Sequence, residues 1–154
     1  MRCFEDLGAV NRFRRKAWRF QETFATPLKE LGPFVGEIVG ALREVKSATV
    51  TIEQVVFEPT NLIALVSGAC GEGEIREGWS VEASGRAEVE ALLRAALGDW
   101  VDFVFVPVPG AFAIYADHDE YMTVFSMRKA GLTGVVKRLT EKGCRRVDRY
   151  RRIL

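Results

Sequence analysis

The chain has 154 residues, 48% hydrophobic and 28% charged, with 22 basic against 21 acidic side chains and one histidine. That length suits a single domain over 1–154 with its own core, and that balance excludes wholesale disorder. No apolar run approaches a membrane span, and the opening MRCFEDLGAVNRFRRK mixes acids and arginines where a signal peptide needs an apolar stretch, which predicts a cytoplasmic protein without a membrane partner.

Charge is unevenly spread. Residues 1–19 carry six bases and two acids, residues 128–154 ten bases and two acids, and the stretch between them six bases and seventeen acids. Basic ends thus flank an acidic body. Arginine outnumbers lysine 16 to 6, the usage of a GC-rich bacterial genome.

In chain order, a first helix is predicted over 7–24, capped by Asp6, with Val10, Phe13, Ala17, Phe20 and Phe24 on one stripe. After a turn at Thr26-Pro27, a second helix begins at Pro33 and carries the stripe Phe34, Ile38, Val39, Leu42 and Val45. β-branched runs then predict strands over 48–58 and 61–68, with Thr51 also placed to cap a short helix over 51–58. GACGEGEIREG (68–78) reads as a surface loop and GWSVEAS (78–84) as a strand. Residues 86–97 form a helix on Val89, Leu92, Leu93, Ala96 and Leu97, stopped by Gly98.

VDFVFVPV, AFAIYA and YMTVFS follow with only short polar links, which requires antiparallel pairing as a meander. Phe103 and Phe105 alternate with Val104 and Val106, so both faces of that strand call for cover. Ser126 is placed to cap a last helix on Leu132, Val135, Val136 and Leu139, ended by Gly143. Residues 144–154 form a basic C-terminal tail anchored by Val147, Tyr150, Ile153 and Leu154. The expected class is α+β: a mostly antiparallel sheet with a C-terminal three-stranded meander and about four helices, in the order ααββ(β)αβββα.

Reactive residues are sparse. Cys3, Cys70 and Cys144 are odd in number and far apart, which predicts reduced thiols. Asp117-His118-Asp119-Glu120 reads as a solvent-facing hairpin tip, because neighbouring loop side chains splay apart and a zinc site needs more His or Cys ligands. GACGEGE follows a strand-like run but opens no helix, and its glutamates repel phosphate. No serine sits in a nucleophile elbow, and Cys70 with His118 is the one conceivable thiol–imidazole pair. Trp18, Trp79 and Trp100 read as core anchors. No catalytic residue, metal site or cofactor is expected.

These features point to a non-enzymatic protein-binding module, a regulator or immunity-type inhibitor, that meets an unidentified protein partner through Tyr115, Asp117, His118, Asp119, Glu120 and Tyr121. One alternative is nucleic-acid binding by the arginine-rich ends, with Arg145, Arg146, Arg149, Arg151 and Arg152 as contacts. Another is a small-ligand protein or enzyme with a pocket between sheet and helices. Exposed strand edges also raise a homodimer.

Overall fold

The computed structural model describes residues 1–27, 29–42, 44–71 and 75–154. The described residues form seven strands and five helices: β1 (Arg2–Glu5), α1 (Ala9–Arg15), β2 (Phe20–Ala25), α2 (Leu31–Ala41), β3 (Ser47–Gln54), α3 (Thr60–Cys70), β4 (Trp79–Ser84), α4 (Arg86–Gly98), β5 (Asp102–Val108), β6 (Phe112–Ala116), β7 (Tyr121–Ser126) and α5 (Lys129–Glu141). One sheet runs β1-β4-β3-β5-β6-β7-β2, antiparallel at every pairing. The α+β class and the C-terminal meander are as the apolar patterning requires.

Strand alternation sorts the sheet into two faces. Phe103, Phe105, Ile114, Met122, Val124, Val50, Ile52 and Phe24 project into the main core, together with Ile38, Leu92, Leu93 and Leu139 from α2, α4 and α5. Each such side chain removed from water contributes about 1.5–3 kcal/mol, so the meander and its helical cover carry much of the stability. The opposite face holds a smaller cluster of Phe13, Val104, Ala113, Tyr115 and Phe125, roofed by Val10 and Trp18. The expected cover on both sides of β5 is therefore present, and the short α1 supplies part of it.

Two expected elements change type. The helix over 7–24 is instead α1 followed by β2, which pairs with β7 from Phe20↔Ser126 to Ala25↔Tyr121. Phe20 and Phe24 are four residues apart, which is both about one helical turn and two strand repeats; pairing with β7 decides between them. Asp6 does not cap α1, whose N-cap is Gly8, and forms an ion pair with Arg12. The strand expected over 61–68 is α3, whose Leu62 and Val66 are buried one turn apart. Its first N–H groups are satisfied from afar: Asp99, at the end of α4, accepts Asn61 N at 3.1 Å and Leu62 N at 2.7 Å. An N-cap delivered across 37 residues leaves no local signature.

Of the loop expected over 68–78, residues 68–70 complete α3, Ile75 is buried, and residues 72–74 lie outside the described residues. Cys3 and Cys70 are joined in a disulfide with Cα atoms 5.6 Å apart, so only Cys144 is a free thiol, against the expectation of three. The bond ties β1 at the sheet edge to the end of α3. Residues 55–59 continue neither as strand nor as helix after β3. Gly98 is the last residue of α4, and the left-handed position that turns the chain is Trp100 (φ 53°). Ser126 belongs to β7 and bonds Arg128 N at 3.1 Å, one step before α5. Gly143, at φ 79°, ends α5 as expected.

Candidate functional site

The β6–β7 connection is built outward from Asp117. This residue is buried, and its Oδ1 accepts the backbone N–H of Asp119 and of Tyr121, both at 3.1 Å, while its backbone N–H bonds Tyr121 O. Such side-chain-to-backbone bonds fix the turn without a glycine. Asp117 Oδ2 forms an ion pair with Arg152 of the tail.

His118 is held from the neighbouring strand. Asp102 Oδ1 accepts both its backbone N–H and its Nδ1–H at 2.8 Å, and Asp102 is itself buried. The imidazole remains 34% exposed, with Nε2 3.8 Å from Asp119 Oδ1. The hydrogen bond to the Asp102 carboxylate raises the His118 pKa; desolvation opposes it, and the charges of Asp102, Asp119 and Asp117 reinforce it. The side chain is thus a half-buried imidazole, neither free in water nor deep in the core. Beneath it, burial pushes the Tyr115 phenol well above its ordinary pKa, with the Glu53 carboxylate adding to the shift. Glu53 in turn pairs with Arg14 of α1.

Asp119 is 75% exposed, and Glu120 is exposed in the left-handed region at φ 67°, its carbonyl accepting Thr26 N at 2.9 Å. Left-handed backbone is costly for a side chain of this kind and persists because the surroundings over-determine it. Tyr121 packs against Tyr150 of the tail at a centroid distance of 4.9 Å. Of the six expected contact residues, the structure therefore presents Asp119 and Glu120 outward, half-exposes His118, and spends Tyr115 and Asp117 on support.

Two partners escaped the sequence reading. Asp102 carried a legible signal, an acid opening an otherwise apolar strand. Arg152 carried none, because its place depends on the tail folding back. Arg145 O accepts Ala25 N and Val147 N bonds Thr23 O, so the tail runs along the outer edge of β2. Among the five arginines expected to meet nucleic acid, Arg146 makes a two-pronged pair with Glu22 and Arg152 is half-buried on Asp117. Arg149 and Arg151 instead line a cleft of about 510 Å³ with Arg19, Lys129, Arg146 and Tyr150, where Glu22 is the one acid. Arg19 of the N-terminal basic stretch thus joins the tail arginines at this cleft.

A second cleft, about 520 Å³, lies where Glu120 approaches Pro27, Pro33, Phe34, Glu37 and Cys144. Burial pushes the Cys144 thiol up, away from nucleophilic thiolate. Cys70 cannot pair with His118 as a nucleophile, since its sulfur is in the disulfide. Among the described residues, no three His, Cys, Asp or Glu side chains are grouped to hold a metal ion, and no helix is long and apolar enough to cross a membrane. Comparison with family models, curated proteins and solved structures returned no match.

Proposed function

We propose that the protein is a non-enzymatic protein-binding module that presents the β6–β7 tip to a basic segment of a partner. The observation that supports this reading is the division of labour at the tip. Asp117 and Asp102 are consumed in fixing the turn, and the two carboxylates of Asp119 and Glu120 face solvent on that mount. A preordered acidic tip loses little conformational entropy on binding and favours cationic partners. The Asp102–His118 pair does not read as a catalytic dyad, because Nε2 faces the Asp119 carboxylate instead of a hydroxyl or thiol.

The test is affinity capture from the native host with wild type and with the double variant Asp119→Lys/Glu120→Lys. A partner held by wild type in low salt should be lost by the variant, with the melting midpoint kept within about 2 °C, as expected for exposed sites. Equal capture by both proteins would overturn the reading.

The convergence of Arg19, Lys129, Arg149 and Arg151 on one cleft favours a second reading, binding of a polyanion such as nucleic acid. Affinity should then fall steeply with salt and vanish in Arg19→Glu/Arg149→Glu/Arg151→Glu. Absence of any mobility shift at about 50 mM salt would end that reading.

A further inference from the structure

The slot that Arg152 fills has the composition of a guanidinium receptor. Its floor is the face of Tyr115, with the Arg152 Cζ 4.3 Å from the ring centroid. One wall is Tyr150, at 5.8 Å on the same measure. The end is the Asp117 carboxylate, and Thr123 Oγ1 lies 3.5 Å from Nε. A planar cation between aromatic faces, opposite a fixed carboxylate, is the arrangement that selects arginine over lysine.

Receptor and occupant are unequally secured. The receptor belongs to the central meander: Tyr115 and Asp117 are buried, and Asp117 is fixed by two backbone N–H groups. The occupant is a tail in which residues 148–152 form no helix or strand, and Arg149 sits at φ 61°, a strained position for a non-glycine residue. Among the described residues, backbone groups of the tail beyond Val147 bond only the Gln21 amide, through Arg152 N at 2.8 Å and Arg152 O at 3.0 Å. Ile153, next in the chain, is 94% exposed and anchors nothing.

We infer that this slot is a binding site for an arginine side chain of a protein partner, occupied in the free protein by the chain's own Arg152, which the partner's arginine displaces. The inference rests on the protein-binding reading above and names the chemistry that partner brings. Displacement in trans exchanges one guanidinium for another, so the buried Asp117 carboxylate is never left unpaired at the end state. The Asp117 carboxylate that ends the slot also accepts the Asp119 N–H, which ties the slot to the exposed acidic tip.

The test uses the full chain, the probe N-acetyl-arginine methylamide, and calorimetric titration. Arg152→Ala should bind the probe at least tenfold more tightly than wild type, and Arg152→Ala/Asp117→Asn should lose that gain. The matching lysine amide should bind Arg152→Ala at least tenfold more weakly than the arginine probe. Free arginine, whose α-carboxylate and α-ammonium the slot does not address, should bind no more tightly than the blocked form; tighter binding would make the site one for the free amino acid and overturn the assignment to a protein partner. If Arg152→Ala fails to fold, Arg152→Lys keeps the charge while losing the planar fork, and the same probe comparison applies. Equal affinity of wild type and both Arg152 variants would overturn the slot. That outcome leaves the capture experiment on the Asp119→Lys/Glu120→Lys variant to stand or fall by itself.

Discussion

Reducing the Cys3–Cys70 bond should lower stability by an amount set mainly by the loop it closes. The two residues are separated by 67 positions. In the chain-entropy treatment, a cross-link over that span removes unfolded-state freedom worth about 4 kcal/mol at 25 °C. For a chain of this size each kcal/mol moves the melting midpoint by about 2–4 °C, so full reduction should lower it by about 8–16 °C. Comparing oxidised with reduced wild type isolates the cross-link, since no side chain is replaced. Cys3→Ser/Cys70→Ser adds the cost of a hydroxyl in a half-buried site and should fall slightly lower. Two readings check the reasoning: thiol titration of the denatured, unreduced protein should find one thiol, Cys144, and calorimetric melts should show the midpoint drop. Three titrating thiols, or a midpoint unmoved by reductant and by the double substitution, would refute it.

Asp99→Ala strips the Asn61 and the buried Leu62 N–H groups at the start of α3 of their shared acceptor and should cost about 1.5–3 kcal/mol in urea unfolding; a loss under about 0.5 kcal/mol would show that α3 is capped some other way. The His118 pKa is raised in the folded state, so its contribution to stability is complete below the unfolded value of about 6.5 and declines as pH rises through the higher folded value. Proton NMR of this single imidazole should give a midpoint above about 6.5, and a midpoint at or below it would mean the Asp102 contact does not form in solution. Glu120→Gly relieves the left-handed strain at φ 67° and should stabilise the protein by about 0.5–1 kcal/mol while weakening partner capture; a stability loss would indicate that the Glu120 side chain itself holds the turn.

Signals confined to a few neighbouring residues were legible. The α4 stripe, the start of α2 near Pro33 and the three strands β5, β6 and β7 all stand where periodicity and turn residues put them. The tip at 117–120 was also readable as a turn, since Asp117 bonds N–H groups only two and four residues ahead. What could not be read was the second half of each long-range pair. His118 depends on Asp102, Asp117 on Arg152, and neither partner is adjacent in the chain. Where the basic tail lies could not be read, because charge counting registers sign and clustering but not the Glu22 and Asp117 carboxylates that neutralise part of it.

By itself, then, the amino-acid order determined the α+β class and a doubly covered meander over 102–126, because alternation and helical spacing act over a handful of residues. Tertiary structure decided the rest. Whether Phe20 and Phe24 sit on helix or strand, whether α3 exists, and whether Cys3 finds Cys70 all turn on partners dozens of residues away. A four-residue spacing fits two periodicities, and only a neighbouring strand, a distant carboxylate or a second sulfur breaks the tie.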